Sequence, residues 1–148
     1  MRTIIAIAVL CCGVSTAFAQ TNTPAGSFGI GGHIGDNSGL TLKAYQRAGF
    51  AYDLLASWDF DDHLFVNVHG LYERAIDGSP LNFYLGPGGF IDVHDRRENK
   101  VRVGVSGNFG LNFFADRFEV YLQLTPRLSL VPDTDSDIGG GVGLRYYF

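Results

Sequence analysis

The stretch Phe118–Leu130, FEVYLQLTPRLSL, decides how this chain folds. Its even positions are Phe118, Val120, Leu122, Leu124, Pro126, Leu128 and Leu130, and its odd positions are Glu119, Tyr121, Gln123, Thr125, Arg127 and Ser129. Successive side chains of an extended strand point to opposite faces, so this two-residue period predicts a strand with one apolar and one polar face. The period recurs on both sides. Val101, Val103, Val105, Gly107, Phe109 and Leu111 alternate with Lys100, Arg102, Gly104, Ser106, Asn108 and Gly110. Ile138, Gly140, Val142, Leu144, Tyr146 and Phe148 alternate with Asp137, Gly139, Gly141, Gly143, Arg145 and Tyr147.

Nearer the N-terminus, Phe50, Tyr52, Leu54, Ala56, Trp58 and Phe60 share one parity, and after Asp61-Asp62 so do Leu64, Val66, Val68, Gly70 and Tyr72. Weaker segments near 27–35, 39–46 and 80–92 bring the expected count to eight. Turn chemistry separates them: Gly35–Gly39, Gln46-Arg47, Asp61-Asp62, Asp77–Ser79, Asp95–Asn99, Ala115–Arg117 and Pro132–Ser136. Short, even spacing predicts an up-and-down antiparallel meander closed into a barrel.

The minor face says which side of the wall points inward. It carries many small residues, among them Gly29, Gly31, Gly86, Gly88, Gly104, Gly139, Gly141 and Gly143, and few charges. Lys43 and Lys100 are the lysines of the chain, too few for the outer skin of a soluble barrel with an apolar inside. An eight-stranded barrel has an interior just wide enough to be filled by side chains, and mixed glycines, aromatics and ionic groups suit it. The band of Phe, Leu, Val and Tyr on the other face suits hydrocarbon. The expected fold is therefore all-β: an eight-stranded antiparallel up-and-down transmembrane β-barrel with a lipid-facing apolar exterior. A formal net charge of −4 argues against a nucleic-acid partner.

Residues 1–19 read as a segment apart. Arg2 precedes an apolar run from Ile4 to Val14, and Ala17-Phe18-Ala19 forms an A-x-A cleavage pattern before Gln20. The run is shorter than the roughly 20 residues a spanning helix needs. Cys11 and Cys12 fall inside it, and Leu10 is a poor substitute for the small residue of a lipidation motif. The expected division is a cleaved signal peptide at 1–19 and one barrel domain at 20–148. That domain has no cysteine and so no disulfide.

The chain ends on Phe148, with Tyr146, Leu144 and Val142 on the same face. Together with Leu128–Asp135 and Gly139–Gly143, this end resembles the C-terminal pattern of a family of uncharacterised small bacterial outer-membrane β-barrels, and the strand layout is distantly similar to the OmpA and OmpX transmembrane domains. The resemblance spans roughly residues 80–148 by motif. It implies a bacterial outer-membrane location reached through the periplasm, and it implies no activity. It makes Val142, Leu144, Tyr146 and Phe148 the insertion signal read by the barrel-insertion machinery. Other expected partners are outer-membrane lipid and lipopolysaccharide, and the expected state is a monomer.

With both ends periplasmic, the connections near 35–39, 60–63, 93–99 and 131–137 face outward. Ten of the fifteen acids lie in or beside them: Asp36, Asp59, Asp61, Asp62, Asp92, Asp95, Glu98, Asp133, Asp135 and Asp137. His33, His63 and His94 are expected at the same rim. Carboxylates with imidazoles can bind divalent cations, but no tight ligand spacing appears, and a solvated charged rim is the expectation. Inside, a hairpin centred near 114–115 sets Arg102 opposite Arg127, and one centred near 61 sets Asp53 opposite His69. Two facing arginines need an acid, which predicts a lumen cluster of Asp53, His69, Arg102 and Arg127 with a second pair, Glu119–Arg145. Pro87 and Pro126 share the lipid-facing parity and are expected to flank the sixth strand near Val103–Val105. There each removes a ladder donor and marks a bend or a possible lateral opening. Ser57, Asp59 and His63 are the nearest approach to a hydrolytic set, and neither a His-x-Ser pair nor a Gly-x-Ser-x-Gly elbow is present. No cofactor or metal is expected. The expected role is a structural or envelope barrel with a filled interior and no catalysis; the alternatives are a narrow pore for small solutes and a lipid-active enzyme.

Overall fold

Eight antiparallel strands, each paired with the next in sequence, close when the last pairs with the first. They are β1 (Phe28–Gly35), β2 (Gly39–Arg47), β3 (Phe50–Asp59), β4 (His63–Ala75), β5 (Leu81–His94), β6 (Lys100–Ala115), β7 (Phe118–Val131) and β8 (Asp135–Tyr147). The computed structural model describes residues 28–47, 49–59, 63–95 and 100–148. The expected signal at 1–19 and the loop acids Asp61, Asp62 and Glu98 lie outside these residues. Closure leaves no unpaired sheet edge, the condition under which strands can cross hydrocarbon.

The distribution of side chains is inverted relative to a water-soluble protein. Among the described residues, eighteen polar or charged residues are buried against eight apolar ones. Trp58, Leu122, Leu124, Val120 and Phe109 are each more than half exposed on the outer face. In water such a surface costs roughly 25 cal/mol per Å² of apolar area, whereas against lipid tails that penalty vanishes. Phe118, Tyr146 and Phe148 stack edge to face near the end that carries the chain termini, with ring centroids 5.1 and 5.2 Å apart. Aromatic girdles at that level are the habit of membrane barrels.

Glycines of the inner face stand where bulky rings lie. Tyr84 pairs across strands with Gly110, and Tyr121 with Gly143. A methyl group on either glycine would run into the tyrosine ring. The small residues of the polar face thus make room for rings that fill the lumen.

The β6–β7 register departs furthest from the sequence expectation. The β6–β7 turn is Asp116-Arg117, between the paired Ala115 and Phe118, and not a turn centred near 114–115. Asp116 takes a positive φ of 56°, a region that Asp enters more readily than most residues. Arg127 therefore lies opposite Ser106, and Arg102 lies opposite Asp92, so the two arginines do not face each other. The slip is an even number of residues, which leaves every side chain on its expected face.

The prolines move as well, Pro126 with the β6–β7 slip and Pro87 because the β5–β6 register is itself shifted by two residues from the expected pairing. Pro87 pairs with Gly107, and the Pro126 ring approaches Gly107 from the other side, so both sit at Gly107 rather than at Val103–Val105. The β6–β7 pairing is interrupted there, between Ser106↔Arg127 and Phe109↔Leu124. The β5–β6 pairing runs unbroken through Pro87. Pro87 instead coincides with a gap toward β4, between His69↔Gly88 and Tyr72↔Leu85. Strand β6 is thus loosened on one edge and not on both.

Candidate functional site

Antiparallel pairing at steady tilt stacks the inward side chains in layers along the barrel. The layer at the end that carries Phe28 and Phe148 is ionic. Lys43 of β2 places Nζ 2.6 Å from Glu73 Oε2 on β4 and 3.0 Å from Glu119 Oε1 on β7. Arg145 of β8 donates to Glu119 Oε2 at 3.1 Å and to Asp53 of β3. All five side chains are essentially unexposed. Neutral groups complete the shell: Tyr45 donates to Glu73 at 2.9 Å, Tyr147 to Glu119 at 2.6 Å, and Asn112 to Glu73 and Glu119 at 3.0 and 2.8 Å. Arg145 also donates twice to Thr41 Oγ1, and its guanidinium lies 4.0 Å above the Tyr121 ring. Buried charges persist only when paired and hydrogen-bonded, and here five strands supply the partners.

Above this layer the lumen is polar but largely uncharged. Tyr84 donates to Gln123 at 3.2 Å, Asn108 donates to Gln123 and Asp53, and His33 bonds the Tyr121 hydroxyl at 2.9 Å. His69 lies opposite Asp53 on the neighbouring strand, and its Nε2 meets Ser106 Oγ at 2.8 Å. Ser106, His69 and Asp53 resemble a nucleophile, base and acid by type. All three are buried, and Asp53 is committed to Arg145 and Asn108. Asn108 Oδ1 and Asn112 Oδ1 are the buried side-chain atoms without a partner among the described residues.

The opposite mouth opens into a cavity of about 240 Å³. Phe65 and Phe90, stacked 5.9 Å apart and packed with Leu55, form its apolar floor. Arg127 is held by Asp36 and Asp137, each at 2.7 Å. Asp92 gathers His63 at 2.6 Å, His94 at 3.4 Å and Arg102 at 3.5 Å.

The expected lumen cluster is therefore divided between two levels. Glu119 and Arg145 meet as a cross-strand pair, and Asp53 joins them rather than Arg102 or Arg127. Arg102 and Arg127 belong to the mouth, each with its own carboxylates: Arg102 lies opposite Asp92 across β5–β6, and the later β6–β7 turn carries Arg127 away from Arg102. His33 is buried in the lumen and is not at the rim. Ser57 donates to the Ser38 carbonyl at 2.6 Å while His63 engages Asp92, so Ser57, Asp59 and His63 form no catalytic set. Val142, Leu144, Tyr146 and Phe148 are all exposed on the outer face. Lys43 and Glu73, central to the ionic layer, were missed by sequence reasoning. Their parity did place both inward, but their partners lie across the lumen on non-adjacent strands, where pairing rules do not reach.

Fold and interior define a class: a small membrane-type barrel whose lumen is lined by polar and charged side chains. No protein-family model and no curated protein matches the chain. Among solved structures, the N-terminal β-barrel domain of Pseudomonas aeruginosa OprF is similar, with a TM-score of 0.62 at 14% identity, covering 82% of this chain and 95% of that one. The likeness is one of fold.

Proposed function

We propose that the chain is a structural barrel of the bacterial outer membrane, with a sealed interior and no catalysis. One observation carries this reading: the fully buried layer of Lys43, Glu73, Glu119, Arg145 and Asp53 spans the lumen with every charge engaged. It lies below a cavity floored by Phe65 and Phe90, and on this reading it closes the lumen to water. The apolar exterior and the similarity to an outer-membrane barrel domain support the location. On this reading residues 1–19 are the export signal, outer-membrane lipid and lipopolysaccharide surround a monomer, and the exposed C-terminal face of β8 is what the insertion machinery reads.

Planar-bilayer recording tests the proposal. The folded chain is expected to leave conductance at baseline, and Lys43→Ala to produce discrete openings by removing the central cation of the seal. Steady single-channel steps from the unaltered chain would establish a pore instead.

A further inference from the structure

The geometry points to a divalent transition-metal site at the mouth opposite the chain termini, formed by His63, Asp92 and His94. His63 and His94 are directly opposite on β4 and β5, with rings stacked at 4.1 Å and 21°. Asp92, two residues before His94 on the same inward face, places Oδ1 2.6 Å from His63 Nε2 and 3.4 Å from His94 Nδ1. One ligand atom from each residue lies within 4.8 Å of the others. Tetrahedral ligands about 2.0–2.1 Å from a zinc ion stand roughly 3.3 Å from one another, so small rotations of two rim imidazoles bring the three atoms into position. Both imidazoles have that freedom, with side chains 27% and 48% exposed.

The second coordination shell is also present. Asp92 is only 8% exposed, and its other oxygen faces Arg102 Nη1 at 3.5 Å, which fixes the carboxylate with Oδ1 toward the imidazoles. Asp36 and Asp137, the other acids lining the cavity among the described residues, are occupied by Arg127, so among those residues the triad is the ligand set that remains. The cavity leaves room for water or an exchangeable ligand at the remaining positions, an open site rather than a closed structural one. Two imidazoles with one carboxylate select zinc, copper or nickel over calcium or magnesium, which prefer all-oxygen shells. A plain ion pair between Asp92 and a protonated histidine employs one imidazole; the convergence of both on one oxygen is what favours a metal.

The test uses the full chain folded in detergent, without an appended histidine tag. Zinc titrated against a chromophoric chelator is expected to bind once per barrel, with a hundredfold excess of magnesium or calcium failing to displace it. His63→Ala and His94→Ala should each weaken zinc at least tenfold, whereas Asp135→Asn on the exposed start of β8 should change it less than twofold. Because a substitution can disturb folding, copper bound to the unaltered protein provides a second measurement: its electron paramagnetic resonance spectrum should show hyperfine splitting from two imidazole nitrogens. Absence of saturable zinc binding, displacement by equimolar calcium, or a copper spectrum with fewer than two nitrogens would overturn the assignment.

Discussion

Lys43 is the residue on which the interior turns. Its ammonium stands between Glu73 and Glu119, while Asp53 and Glu119 share Arg145, so three carboxylates depend on two cations. Removing Lys43 leaves those three acids to one guanidinium among fully buried side chains. Lys43→Met is expected to destabilise the barrel by about 3–5 kcal/mol, the usual result of breaking a buried pair from one side. Urea unfolding in detergent measures it. Combined with Glu73→Gln, the loss should fall short of the summed single losses by at least about 1 kcal/mol, because the two groups are in contact. Strict additivity would show that the 2.6 Å pair carries no coupling. That Lys43 and Glu73 point inward was legible from alternation. That they meet was not, because β2 and β4 are separated by β3 and only closure of the wall brings them within reach.

Between neighbouring strands the recurring unit is a ring laid over a glycine. Tyr84 over Gly110 is one example, where an added methyl group would meet both the ring and the Leu122 carbonyl. Gly110→Ala should cost about 1–3 kcal/mol, the usual range for overpacking. Gly32→Ala provides the comparison, because a methyl group there meets nothing within 4 Å. That substitution is expected to stay within about 0.5 kcal/mol, as for a surface change. Thermal melts of the two variants in the same detergent decide the matter, and equal losses would refute the packing account. Strand limits were largely legible: the segments expected near 27–35, 39–46 and 80–92 appear as Phe28–Gly35, Gly39–Arg47 and Leu81–His94. The β6–β7 turn was not, because Ala115-Asp116-Arg117 admits more than one centre and only the left-handed Asp116 selects between them.

The whole molecule is a polar interior wrapped in an apolar wall, and Trp58 reports on the wall. It is the one tryptophan of the chain, and it is 52% exposed on the outer face. In vesicles containing brominated lipid its fluorescence should fall by at least half, while aqueous iodide should quench it by less than a tenth. Strong iodide quenching with no bromine effect would place the outer face in water and remove the basis for a membrane location. A barrel turned this way carries its polar groups to the mouths and the lumen, where both ionic centres described above lie.

Taken alone, the sequence determined the strands, their number and the face each side chain takes, because a period of two residues is local and survives any even slip in register. Apart from the cross-strand pair Glu119–Arg145, only the tertiary structure decided which charges meet. Contacts across a lumen depend on the turn positions, on the stagger of eight strands and on closure of the first against the last, and each is a property of the assembled wall rather than of any segment of it.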